Sequence, residues 1–92
     1  MANSVKVLKL TTGEELIARV KDERDLITLE QPMTLQAMPT GQAGQMGFAL
    51  VPWLMSAKSD SVTISITCVI AQVEPKDDVE KNYLSQISGL IL

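Results

Sequence analysis

Few side chains in this sequence could carry covalent chemistry. The chain has no histidine, the residue that most often serves as a base near neutral pH or as a zinc ligand, so most hydrolase and zinc-site readings fall at once. Its single cysteine, Cys68, closes an alternating run in phase with Val62, Ile64 and Ile66. The thiol is therefore expected in the core, with no histidine to activate it as a nucleophile. Glu14-Glu15 and Asp77-Asp78 are adjacent carboxylates; the first pair points to opposite faces of an extended chain and the second suits the start of a helix. Gly41, Gly44 and Gly47 lack the Lys-Ser/Thr that follows a phosphate-binding loop. The expectation is a protein that is not an enzyme and holds no metal or cofactor.

Lys58 stands apart. With Asp60 it supplies the only charges between Gln31 and Gln72, in the turn Lys58-Ser59-Asp60-Ser61. On a monomer it is a solvated turn lysine; in a ring its copies would converge into a positive rim that the net charge of -3 conceals. Both readings stay open. Lys21 and Arg24 could add to such a rim, but Asp22, Glu23 and Asp25 largely cancel them. Trp53, among Leu50, Val51, Leu54 and Met55, is expected to anchor a core or an interface rather than to stack on a base.

Short strands must position these residues. Val5 to Leu10 alternates, with Val5, Val7 and Leu10 assigned to one face. Glu15 to Lys21 is read as a strand between the Thr11-Thr12-Gly13 turn and the charged run Asp22 to Asp25. Leu26 to Met38 forms a third, with Pro32 at a bulge or an unpaired edge and Pro39 at its end. Thr40 to Gly47 reads as a flexible Gly-rich loop. Phe48 to Ala57 is expected as a strand interrupted by Pro52, and Val62 to Cys68 as the cleanest period-two strand, continued by Val69 to Val73. After Pro75, Asp77 and Glu80 have the spacing of a capping box for a helix to about Ser88, with Gly89 as its stop and Val79, Tyr83, Leu84 and Ile87 as its apolar stripe.

The 92 residues are 46% hydrophobic and 21% charged, with one Trp, one Tyr and one Phe. That composition describes one folded domain with an aliphatic core, small enough for oligomerisation to help it. The uncharged stretch Gln31 to Ala57 is broken by three prolines and three glycines, so no membrane span is expected. A lone cysteine and the lack of a signal-like N-terminus point to the cytoplasm. The element order gives a mainly β fold: a small, strongly bent five-stranded antiparallel barrel over residues 1–75, with a helix and apolar tail over 76–92 packed on it.

The same order resembles the Sm/LSm family. Val7 to Leu29 is similar to the first Sm motif, with Gly13 at the turn glycine and Ile27-Thr28-Leu29 where the family has apolar-Asn-apolar. Lys58 to Val62 resembles the second motif. Thr28 stands for the base-contacting Asn, Arg24 for an Asp, Lys58 for an Arg and Ser59 for a Gly. A resemblance over nearly the whole chain is to the small Sm-like proteins of cyanobacterial and marine phages, carried by Leu10 to Leu16, Gly47-Phe48, Pro52-Trp53-Leu54, Ala57-Lys58, Asn82-Tyr83 and Ser88-Gly89. It implies a bent barrel closing into a cyclic homo-oligomer, pentamer to heptamer. It also implies weakly sequence-selective binding of single-stranded nucleic acid, RNA before DNA, through Lys58, Ser59, Asp60, Thr28 and Arg24, in the cytoplasm of a bacterial host. The alternative is a structural or protein-interaction ring, part of a phage particle, with a protein partner.

Overall fold

A computed structural model describes residues 4–39, 46–54 and 56–91. Six strands and one helix follow in order: β1 Ser4–Leu10, β2 Glu15–Glu23, β3 Leu26–Pro39, β4 Met46–Pro52, β5 Ser61–Ser65, a 3₁₀ turn Ile66–Cys68, β6 Val69–Val73 and α1 Asp77–Ile91. All pairings are antiparallel in one sheet of order β4-β3-β2-β1-β6, with β5 also on β3.

Six strands fill the five sheet positions expected, because β4 and β5 lie end to end along β3. Pro52 of β4 pairs with Met33, and Ser61 of β5 pairs with Glu30. Between those pairs β3 bulges: Ile17 faces Met33 and Arg19 faces Glu30, so Ala18 of β2 spans two residues, Gln31 and Pro32. Pro32, with no N–H to give to a ladder, falls where none is needed. Gln31 takes the left-handed φ of 53° that turns its carbonyl out of register. The strand expected from Phe48 to Ala57 therefore begins earlier, at Met46, and ends at Pro52, where Trp53 N–H donates to the Pro32 carbonyl at 3.0 Å.

The sheet buries both faces. Inside its bend, Leu8, Leu10, Leu16, Ala18, Val20, Ile27 and Leu29 form one core, with Trp53, Val62, Ile64 and Val69 packed against it. On the other face, Ile17, Met33 and Leu50 meet Tyr83 and Ile87 of α1, with Val5, Val7, Leu35 and Val79 around them. Leu10 thus opposes Val5 and Val7 rather than joining them, because β1 is covered on both sides.

Three further expectations are corrected. The run Val62 to Cys68 breaks after Ser65, where the Ser65 hydroxyl accepts from Thr67 N–H and the chain turns as a 3₁₀ corner. That corner takes Cys68 out of phase with Val62 and Ile64 and leaves it exposed. α1 continues past Gly89 to Ile91, since glycine lowers helix propensity without forbidding helix. The Asp77–Glu80 capping box does not appear among the described bonds: Glu80 N–H donates to the Lys76 carbonyl at 2.9 Å and Val79 N–H to Asp78 Oδ1. Asp77, Asp78 and Glu80 instead place negative charge on the first turn, where the helix dipole favours it. Leu84, assigned to the apolar stripe, is 39% exposed. Of the Gly-rich loop, Thr40 to Gln45 lie outside the described residues, as does Leu92 of the apolar tail.

Candidate nucleic-acid interface

Of the five residues singled out for nucleic acid, Thr28 lies on the β3–β5 ladder, Lys58, Ser59 and Asp60 just before β5, and Arg24 in the β2–β3 turn. Thr28 and Thr63 pair across β3 and β5 with their hydroxyls 3.1 Å apart. Lys21 of β2 lies opposite Thr28, so Lys21, Thr28 and Thr63 form a polar row on the helix-bearing face. Ser59 and Asp60 precede β5. Ser59 Oγ accepts from Ser61 N–H at 3.0 Å, and the Asp60 carbonyl accepts from Gln31 N–H at 2.6 Å, which ties this turn to the bulge. Lys58 is exposed beside them.

Arg24 sits elsewhere. It occupies the β2–β3 turn with a left-handed φ of 52°, next to Asp25, whose carbonyl accepts from Ile66 N–H at 2.9 Å. The Leu26–Glu30 ladder separates this turn from Lys58, a span on the order of 15 Å at the usual strand rise. The structure thus brings Ser59, Asp60 and Lys58 together at one end of β5 and places Arg24 at the other, with Thr28 between. Arg24 lies between Glu23 and Asp25 in the chain, and Glu23 makes an exposed ion pair with Lys21 at 3.8 Å.

Lys58 to Val62 leads into β5 and not into the last strand; the sharp corner before β6 is Ile66–Cys68. Trp53 packs against the inner core and donates from Nε1 to Glu14 Oε2 at 3.2 Å, the anchoring role expected of it.

A polar cluster that the sequence does not announce surrounds the bulge. Tyr83 Oη shares its proton between the carbonyl oxygens of Glu30 and Gln31, each 3.0 Å away. Arg19 Nη2 donates to Gln31 Oε1, and Arg19 Nε is buried without a partner among the described residues. Burial raises the Tyr83 phenol above its ordinary value, opposed by the neighbouring Arg19. The only advance signal was Tyr83 on the apolar stripe, because a buried tyrosine needs a partner for its hydroxyl.

The interruption between β4 and β5 also opens a notch of about 310 Å³ at the sheet edge, walled by Met33, Pro52, Leu54 and Val62 with Asp60 and Ser61 at its rim. Among the described residues no three His, Cys, Asp or Glu side chains are grouped to hold a metal ion. No described helix is long and apolar enough to cross a membrane.

A small, strongly bent antiparallel sheet carrying one C-terminal helix is the class these elements define. The family model described as the Sm_like domain matches residues 7–84, and the chain belongs to that family. No curated protein matches the chain. Sm-like domains typically form oligomeric rings and often bind RNA.

Proposed function

We propose that this chain assembles head to tail into a closed homo-oligomeric ring of roughly five to seven copies. The observation that carries this reading is the state of the two sheet edges. β5 and β6 are each five residues long, carry no charge and no proline, and among the described residues pair along one side of their backbone, with β3 and β1. Unguarded edges of this kind recruit another strand, and two unlike edges on one chain pair heterologously, a contact that closes as a ring when the rotation between copies divides the circle. Light scattering at micromolar concentration should give a mass several times that of one chain; a monomer overturns the reading.

The ring binds single-stranded nucleic acid, RNA before DNA, mainly through phosphates and with weak sequence preference. Family membership supports this, as does the exposed Lys58 beside Ser59 and Asp60, one copy per subunit; Thr28 and Arg24 line the path beyond. In this reading the barrel of 1–75 and the helix of 76–92 act as one non-catalytic unit, in the cytoplasm of a phage-infected bacterium. Fluorescence anisotropy with labelled single-stranded oligomers should show saturable binding that weakens as salt rises and weakens again in Lys58→Ala, because every subunit loses a charge. Absence of saturable binding at low salt overturns it.

A structural or protein-interaction ring, as in a phage particle, is the second reading. It is favoured by the distance between Lys58 and Arg24, by the acids around Arg24, and by the exposed Leu26, Ile66 and Ile70 near the 3₁₀ corner. A ring that ignores RNA and DNA in the same titration supports it.

A further inference from the structure

Gln31 is bound at three polar positions by three separate parts of the chain. Its N–H donates to the Asp60 carbonyl at 2.6 Å, its carbonyl accepts from Tyr83 Oη of α1 at 3.0 Å, and its side-chain Oε1 accepts from Arg19 Nη2 of β2. It falls between the β3 pairs of Glu30 and Met33, with no partner in a described strand register. A left-handed φ of 53° is uncommon for a residue of this type and persists only where the surroundings fix it. Those three bonds do so here.

The segment at the far end of the Asp60 bond has little else to hold it. Leu54 and residues 56–60 are exposed, so burial restrains them weakly. Ala57 N–H donates to the Leu54 carbonyl and the Ser59 hydroxyl bonds Ser61, contacts that reach no more than three residues along the chain. Among the described residues, the bond from Gln31 is the only one that ties the stretch from Leu54 to Asp60 to a distant strand. Lys58 stands two residues before that anchor. We propose that Gln31 is a positioning residue for Lys58: α1, docked through Tyr83, keeps Gln31 left-handed, and Gln31 holds the Lys58 turn where a phosphate meets it. Undocking the helix then releases the cation without touching it, and a ligand that fixes the turn tightens the helix in return. The role given to Lys58 rests on the nucleic-acid reading above; the relay from α1 to the turn does not.

Two measurements separate the relay from that reading. Lys58 is itself a trypsin site, and slow cleavage of a folded protein follows the population of the locally opened form. Cleavage after Lys58, taken as a ratio to cleavage after Arg24 in the same digest, should rise about five- to tenfold in Tyr83→Phe and in Gln31→Val, whose branched Cβ opposes left-handed backbone. The ratio cancels a general loss of stability. Gln31→Gly, which accepts that φ and retains the N–H, should bring the ratio back toward the wild-type value. An unchanged ratio in Tyr83→Phe overturns the relay, and that variant decides alone where Gln31→Val fails to fold. In fluorescence anisotropy with labelled single-stranded oligomers, Tyr83→Phe should weaken binding by the protein that retains Lys58 and add nothing in a Lys58→Ala background; fully additive losses overturn the positioning of Lys58. A wild type that binds no oligomer removes the nucleic-acid reading and the role of Lys58 with it, while the trypsin ratio still decides the relay.

Discussion

Tyr83 of α1 reaches the carbonyl oxygen of Gln31, 52 positions away, at 3.0 Å, and so fastens the C-terminal helix to the bulge in β3. Both carbonyl oxygens belong to the bulge, and a part-buried carbonyl left without a donor is costly. One phenol serves both. The same bulge is where β4 gives way to β5, so the helix secures the point at which the sheet edge changes.

Tyr83→Phe leaves the ring in place and removes the shared proton. It should lower stability by about 1–2 kcal/mol, read as a smaller urea midpoint at unchanged slope; an unchanged midpoint would show that the two carbonyls find other donors.

The same residue sets an alkaline limit. Burial raises the Tyr83 phenol above its ordinary value, so as pH rises the unfolded chain loses this proton first. The stabilisation is complete below pH about 10 and is lost as pH climbs through the folded value. Between pH about 9 and about 11 the wild type should lose stability more steeply than Tyr83→Phe. Parallel losses in urea titrations at the two pH values would refute this.

Ile87 is 4% exposed and lies in the outer core with Ile17, Met33 and Leu50. Ile87→Ala should cost about 2–4 kcal/mol by the lost burial and the cavity left. Thermal unfolding by circular dichroism would record it, and a loss under about 0.5 kcal/mol would mean that α1 contributes little to the fold.

Cys68 is exposed at the end of the 3₁₀ corner. Cys68→Ser should therefore change stability by no more than about 0.5 kcal/mol. A cost of several kcal/mol would restore the buried position that strand phase alone assigned to it.

Gly13 closes the β1–β2 turn with φ of 96°, its N–H donating to the Leu10 carbonyl at 2.9 Å. A Cβ there would meet nothing within 4 Å, so Gly13→Ala tests backbone strain alone and should cost about 1 kcal/mol. A neutral result in chemical denaturation would mean that the turn relaxes to negative φ.

Local pattern was enough to place the first three strands, the Pro32 bulge and the helix that carries Tyr83 and Ile87, because alternation, proline chemistry and helical spacing are properties of neighbouring residues. Pattern also marked Trp53 as an anchor and Lys58 as the isolated cation of the charge-free middle. Tertiary structure decided the rest. Val62 to Cys68 alternates without a flaw, yet the chain turns after Ser65, since β5 runs along β3 and β6 along β1 on the opposite edge of the sheet. Pairing partners, and not side-chain period, determine where a strand must stop, and they carried Cys68 out to solvent. The same dependence on distant partners joined β4 and β5 into one line, set Lys58 and Arg24 at opposite ends of a ladder, and brought Tyr83 to the two carbonyls of the bulge.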